Sequence, residues 1–558
     1  MLYQDPYLEF LVTIYLDWIG FVFLLLGNII SLFIIYFSKT YLQWEESFKR
    51  YFITILIFYF GYNLTVLSGN LETLSIGWEV LGISSFLLIG FYRTRFIPVR
   101  NAVKVFSIYR IGDVGLILAI WGIHHYFNGS VSFTRIQTIS NLGSELYSDQ
   151  GVPIFIAFCL LVAASAKSAS FPFSTWLPRA MEGPTPSSAI FYGALSVHMG
   201  VFLLIRSFPF WSDLILFRWL VAGAGLITFF STLFIAKVQY TIKTRIGYKS
   251  LTHIGLIFIE ISLGLLEVAV IHSVLNAVVR TYQLLVSPSS VSFLIRDQFF
   301  HFKPRISQIE SSRLKKFHAT LYHLSMKEFY FDVFLDRFLF GIYRSISEKL
   351  HFLTPLNFIS IYLPMAISGL LLVKFRHSLP FLLDDYLPIL FAFLSIFMIM
   401  KAFSERRYPR LVWLLNIFSH FNLVIAVILN EKVLFYQVTL YLSGVIVSGI
   451  VGYIVLEILR RKERKYFDLD EYYGHITHHR ILAKIFFIST LGLMGFPITT
   501  TFLGEDLLFS HITQNQYLLA FFFSLSYVLG GISLIRLYSK LFLGPSIRRM
   551  NETTIHSA

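Results

Sequence analysis

Apolar stretches of about twenty residues follow one another along nearly the whole chain, and no other feature limits its folding more. A helix needs ~20 such residues to cross the hydrocarbon core of a bilayer. Inside that core every backbone N–H and C=O must be bonded internally, so only helices or closed barrels can span it. Candidate spans lie near residues 11–37, 51–70, 74–92, 103–126, 152–173, 186–206, 215–237, 251–286, 356–374, 386–403, 411–429, 434–459, 482–502 and 517–543, about fourteen in all. The period-two alternation of a barrel strand is missing over any useful length. Charged residues make up only 14% of the chain, against ~25% in soluble chains, and 558 residues folded in water could not hide so much apolar surface. The expected fold is therefore all-α: a polytopic membrane protein of about fourteen helices, some broken, with one amphipathic segment on the surface. That excludes a cytosolic enzyme. The single Cys159 excludes a disulfide framework, a thiolate metal site and an iron–sulfur cluster on this chain.

The net charge of +14 is not a nucleic-acid signal. Basic residues collect between spans, as at Arg460, Arg461, Lys462, Arg464 and Lys465, where they hold the cytoplasmic side of a bilayer. The N-terminus carries Asp5, Glu9 and Asp17 where a signal peptide would be basic. Residues 296–352 break the apolar rhythm with Arg296, Lys303, Arg305, Arg313, Lys315 and Lys316. Apolar residues then recur at helical spacing in Phe334, Leu335, Phe338, Ile342 and Ile346, which predicts an amphipathic helix on the membrane surface or against a partner. The chain is thus divided into a transmembrane half at 1–290, a connecting segment at 291–355, a second half at 356–545 and a polar tail at 546–558. A weak internal repeat supports two halves. Shifting residues 237–255 onto 404–422 sets Lys243 on Arg410 and His253 on His420, and repeats of this kind often place ion sites where halves meet.

An ionisable residue inside a span costs at least ~2.5–3.5 kcal/mol at the helix centre, so each one calls for a partner, a water path or a function. Glu79 lies in IGWEVLGISSFLLIGFY and Lys167 in LLVAASAKSASFPF, among small residues that let helices approach. Burial disfavours the charged form of both groups and an opposite charge restores it, so the two are expected to form a switchable pair. Pro172, Pro178, Pro184 and Pro186 follow Lys167 and break the helix, which membranes tolerate where the break is buried in protein or lines a watery cavity. Arg110 and Asp113 read as a structural i,i+3 pair. His253 and His272 can relay protons near neutrality. Glu505 and Asp506 follow Pro497 and the hydroxyls of Thr499, Thr500 and Thr501, which can satisfy a broken backbone. The candidate site residues are therefore Glu79, Lys167, His253, His272, Glu505 and Asp506. The chain has no cofactor motif and no metal motif, so neither is expected.

Three motifs carry a resemblance. GWEVLGISSFLLIGFY resembles the GWE-x-x-G helix of the antiporter-like subunits of respiratory complex I and the Mrp antiporters. YRIGDVGLILA resembles their N-R-I-G-D helix, and SAKSASFPFSTWLPRAMEGPTPSSA their G-K-S-A-x-x-P signature. The likeness covers residues 10–290 and returns at 385–545, ending in GFPITTTFLGEDLL. It implies a proton-translocating subunit whose Glu–Lys pair is Glu79 and Lys167 and whose exit group is Glu505. The family's H-A-x-x-K-A helix reads HSVLNA: His272 is kept, the lysine becomes Asn276, and a cation reappears at Arg280, which cannot deprotonate. Tyr192 stands where the family has a histidine, and FYQVTLYLSGVIVSG is read as having no ionisable residue.

The likeness begins at the family's third helix, Leu16-Asp17-Trp18, and no lateral helix follows RLYSKLFLGP. This favours the DabB branch, which pairs with a zinc-bearing DabA protein for inorganic-carbon uptake. The alternative is a chain 5 (subunit L) proton-pumping subunit of NADH:quinone oxidoreductase, or an Mrp subunit. Either way the partners expected are other membrane-complex subunits and the lipid bilayer, not nucleic acid. The location is the bacterial inner membrane, or alternatively the mitochondrial one. Redox or hydrolytic chemistry is expected on other subunits. A non-transporting scaffold is the competing class: Asn276 favours it, and the costly charges at Glu79, Lys167 and Glu505 argue against it.

Overall fold

The computed structural model describes residues 3–4, 9–127, 129–136, 151–301, 312–341, 345, 349–350, 354–375, 381–431 and 433–546. Apart from a two-residue antiparallel pairing of Tyr3–Gln4 with Glu9–Phe10, the regular structure is helical. The longer helices are α1 Trp18–Tyr41, α2 Phe48–Val66, α3 Leu71–Ile89, α4 Phe96–Phe127, α5 Gly151–Lys167 and α6 His198–Trp211. Next come α7 Ile215–Val238, α8 Ile242–Ser262, α9 Leu266–His301, α10 Ser312–Met326 and α11 Pro355–Lys374. The series ends with α12 Phe381–Ser404, α13 Pro409–Asn430, α14 Phe435–Lys462, α15 Arg480–Leu493, α16 Thr500–Ser510 and α17 Tyr517–Phe542.

Eight helices among the described residues are long and apolar enough to cross a membrane, and two shorter apolar ones accompany them. That is fewer uninterrupted apolar spans than the stretches suggested: α2 and α4 are continuous but less apolar, and several other stretches break. The stretch at 251–286 is two helices, α8 and α9, turned at Gly264 with φ +85°. The one at 186–206 begins with short irregular turns, Thr185–Ser188 and Ala189–Ala194, before α6. The one at 482–502 stops at Leu493 and resumes at Thr500.

Local chemistry sets many of these ends. The Asp17 side chain accepts from the Gly20 amide at 2.8 Å and caps α1. Asn70 caps α3 through the Thr73 amide at 3.0 Å, and Thr241 caps α8 through the Thr244 amide at 3.1 Å. Each satisfies a helix N–H that has no intrahelical partner. Asp17 does a second job: its other oxygen accepts from Arg206 Nη1 at 2.7 Å, and that arginine is almost wholly buried.

The chain packs as two compact units that do not follow chain order. One contains Val12–Phe91 and Ser132–Phe338; the other contains Met1–Leu11, Tyr92–Val131 and Leu339–Ala558. In the first, α7 packs along α8, α2 along α3, α8 along α9 and α5 along α6. In the second, α12 packs along α13, α14 against α15 and α16, and α17 against both α4 and α12. Helix α4 thus belongs with C-terminal elements because its buried face, including Arg110, Asp113 and Trp121, fits against them. Its Trp121 Nε1 donates to the Ile512 carbonyl at 3.0 Å.

The connecting segment is helical where it is described. Helix α9 runs unbroken through residue 290 to His301. Helix α10 is followed by three successive left-handed residues, Glu328, Phe329 and Tyr330 (φ 52°, 52° and 56°). Phe317, Tyr322, Phe334 and Phe338 are exposed, as an amphipathic segment awaiting a cover would show. Lys303, Arg305, Ile342, Ile346 and the tail beyond Ser546 lie outside the described residues.

Candidate functional site

Lys167 is the last residue of α5 and is 1% exposed. The helix stops there because Ala169 adopts φ 51°, a left-handed conformation that costs a residue with a Cβ roughly 1–2 kcal/mol. The Ser170 amide then reaches back to the Ser165 carbonyl at 3.0 Å, closing the helix end as a Schellman turn. The Trp176 indole N–H takes the Ala166 carbonyl at 2.9 Å. The Lys167 ammonium reaches α3. It donates to the Trp78 carbonyl at 3.2 Å and lies 4.7 Å from the centre of the Trp78 ring. Glu79, half-buried, is the next residue along α3. Glu72, two turns earlier on the same face, is also buried, at 8% exposure; sequence inspection passed over it because it stands at the helix start, where an acid is ordinary.

Further into the same unit lies a polar cluster between α6, α8 and α9. His198 is fully buried, and its Nδ1–H donates to the Ala194 carbonyl at 2.6 Å. Its Nε2 is therefore the acceptor for the Asn276 amide at 3.3 Å. Asn276 also donates to Ser250 Oγ at 3.2 Å and accepts from Arg280 Nε at 3.2 Å. Every hydrogen-bonding direction at Asn276 agrees with one amide orientation, so this residue is a connected polar hub where the sequence suggested a gap. His253 and His272 meet directly, Nδ1 to Nε2, at 2.9 Å, and His272 Nδ1 contacts Glu260 Oε1 at 2.7 Å. Neither His198 nor Glu260 was among the expected site residues. The signal for each was an isolated titratable group in an apolar run, VHMGVFLL and LIFIEISL.

In the other unit, Glu505 sits on α16 just after the break at 494–499. Its carboxylate lies against Gly495, whose φ of +68° and missing Cβ make the approach possible. Arg110 is buried with Asp113, Nη1 to Oδ2 at 3.5 Å, as the i,i+3 spacing predicted, and its Nη2 reaches the Met494 carbonyl at 3.5 Å. Gly504 lets α16 press on Tyr441. Tyr441 OH meets His420 Nδ1 at 2.6 Å and receives a bond from Tyr527 OH at 3.0 Å. Asp506, half-buried, is the next residue along α16. The reading that 435–449 offers no ionisable group is thereby corrected: Tyr441 supplies a phenol at the place where its helix faces His420.

The two units repeat one arrangement. Each has a long helical hairpin, α7–α8 or α12–α13, whose second helix carries a histidine. That histidine bonds a ring on the following helix: His253 with His272, His420 with Tyr441. This is the register that the shifted sequence segments predicted for His253 and His420.

A family model described as "NADH:quinone oxidoreductase/Mrp antiporter", transmembrane, matches residues 68–292 and 365–530. The chain is 34% identical over 274 residues to the chloroplast NAD(P)H-quinone oxidoreductase subunit 5 of Lolium perenne, covering 48% of this chain and 36% of that protein. The same subunit from Manihot esculenta is 33% identical over 265 residues, covering 47% and 35%. The matched region thus spans little more than a third of these relatives. Among solved structures, the Mrp complex of Dietzia sp. DQ12-45-1b is similar with TM-score 0.47 and 16% identity, covering 86% of this chain and 68% of that one. The membrane-bound sulfane sulfur reductase, an archaeal respiratory complex, gives TM-score 0.42 and 19% identity, covering 49% and 56%.

Proposed function

The chain belongs to the NADH:quinone oxidoreductase/Mrp antiporter transmembrane family, and on that premise we propose that it is an integral membrane subunit that moves protons and couples their gradient to a partner protein. Glu79 and Lys167 form the entry pair. His253 and His272 relay within the first unit. Glu505 and Asp506, with the His420–Tyr441–Tyr527 chain, serve the second. The sequence halves 1–290 and 356–545, joined by 291–355, are the two antiporter-like repeats.

One observation carries the reading: a wholly buried ammonium at a broken helix end, donating to the residue beside a membrane carboxylate. A buried charge costs several kcal/mol unless paired, and a lysine, unlike an arginine, can give up its proton. A scaffold gains nothing from such a group.

The partner in this reading is the zinc-bearing DabA type, in a bacterial cell membrane, with proton flow driving inorganic-carbon uptake. Membership of an antiporter-like family supports the proton-coupled part of this reading. The chloroplast relatives support the second reading, a quinone-reducing complex. Purifying the full chain from its native membranes and identifying the chain that accompanies it separates the two: a stoichiometric zinc protein or a set of oxidoreductase subunits. Proton flux is then measured in vesicles. The complex should conduct and the isolated chain should stay near background; full coupled activity from the isolated chain would defeat the proposal.

A further inference from the structure

We propose that Glu260 is the terminal proton acceptor of a Glu260–His272–His253 relay, a port through which the first unit exchanges protons at the α8–α9 turn. This rests on the proton-transport function proposed above. It adds to the histidine pair of the first unit a carboxylate, a direction and an exit.

The geometry fixes the order of the groups. Glu260 Oε1 lies 2.7 Å from His272 Nδ1, and His272 Nε2 lies 2.9 Å from His253 Nδ1. A carboxylate only accepts, so His272 Nδ1 carries a hydrogen. The neutral ring then accepts at Nε2, and His253 Nδ1–H donates to it. A proton arriving at His253 Nε2 releases that ring's Nδ1 proton to His272 Nε2, and the His272 Nδ1 proton passes to Glu260 Oε1. Three N–H or O–H bonds form while two N–H bonds and the donor's bond break, and one proton has moved. Glu260 gives it to water, and the two rings reset by returning to their first tautomers.

The surroundings give the path its two ends. His253 and His272 are one helical turn from Ser250 and Asn276, which belong to the buried hub with His198. Glu260 is two turns along α8 from His253, about 10 Å, close to the helix end at Ser262 and the turn at Gly264. Glu260 and His272 side chains are each 20% exposed, at a helix end beside a turn. Arg280, a buried fixed cation on α9, stands at the inner end, donating to Asn276 Oδ1 at 3.2 Å. A positive charge at the inner end drives an excess proton away from His253 and toward the carboxylate. The second oxygen of Glu260 is itself buried and has no hydrogen-bond partner among the described residues, an unsatisfied acceptor that a proton or an entering water would satisfy.

Substitution separates a relay from a brace. Glu260→Gln keeps an oxygen that accepts from His272 Nδ1–H but cannot take the proton. Glu260→Asp keeps the acid and shortens the reach. A relay predicts that Gln lowers proton flux at least about ten-fold, the low end of general acid–base contributions being larger still, while Asp retains measurable flux. A structural brace predicts the reverse ranking. The assay is proton flux in vesicles containing the assembled complex, with Lys167→Ala as the control. If Lys167→Ala abolishes flux and Glu260→Gln matches the wild type, the port is wrong and the transport function stands. If neither substitution changes flux, the transport reading fails as well. Should Glu260→Gln not assemble, His253→Asn decides: its amide still donates to His272 but cannot relay, so wild-type flux from it overturns the inference.

Discussion

Lys167→Ala tests the central assignment most directly, because its structural cost can be worked out beforehand. The ammonium gives a charge-assisted hydrogen bond to the Trp78 carbonyl at 3.2 Å, worth roughly 1.5–3 kcal/mol. Its position 4.7 Å from the Trp78 ring adds about 2 kcal/mol when desolvated. Against that stands the cost of holding an ammonium 1% exposed, several kcal/mol by the measure of buried ions. These terms nearly cancel, so the net loss is set by the cavity the stem leaves, about 2–5 kcal/mol for a large side chain cut to Ala. No orphan acceptor remains, since the Trp78 carbonyl keeps its own bond within α3. Transport has no such compensation. If this amine exchanges protons with Glu79 as proposed, its loss should lower flux at least about 100-fold, the lower end of general acid–base effects. Lys167→Arg should fail too, because a guanidinium stays charged. Assembly is read by co-purification and flux in reconstituted vesicles. Normal assembly with wild-type flux in Lys167→Ala refutes the acid–base role. Lost assembly in Ala with full flux in Arg would establish a structural one instead.

Three further outcomes are expected. Asp17→Ala removes the α1 cap and strands the buried Arg206 guanidinium; leaving one partner of a buried pair uncompensated costs about 3–5 kcal/mol, which thermal unfolding in detergent will show as a large fall in midpoint, with Asp17→Asn milder because it still caps. Tyr441→Phe keeps the ring but removes the hydroxyl between His420 and Tyr527; the stranded partners cost about 1–3 kcal/mol, and flux should drop while assembly persists. In the loop after α14, burial holds the His475 imidazole below its ordinary value, with its bond to the Tyr466 carbonyl opposing. The unfolded chain then binds the proton more readily, so this group's stabilisation is complete above about pH 6.5 and is lost as pH falls from there toward the lower folded value. Unfolding midpoints measured from pH 7.5 to 5 should fall less steeply for His475→Gln than for the wild type.

Much was legible in the sequence because membranes impose one-dimensional rules. The apolar runs required helices. Charges as expensive as Glu79, Lys167 and Glu505 marked themselves by sitting where their cost is highest, and Arg110 with Asp113 could be paired from helical spacing alone. The repeat register placed His253 and His420 on matching helices because both follow a basic loop and both hairpins pack the same way. Apolarity could not reveal where a run breaks. The turns at Ala169, Gly264 and Gly495 depend on single backbone conformations, and those decide that Lys167 ends a helix and that Glu505 fits against a bare backbone. Nor could a linear scan find partners far apart in the chain. His198 joins Asn276, Tyr441 joins His420, and Glu260 joins His272 only because neighbouring helices pack closely enough for 2.6–3.3 Å contacts. Hydropathy therefore determined that the chain spans a membrane and which charges are out of place there. Tertiary packing decided which histidines, and which polar groups beside them, form hydrogen-bonded chains, because a bond between helices is set by the distance between them and not by order along one.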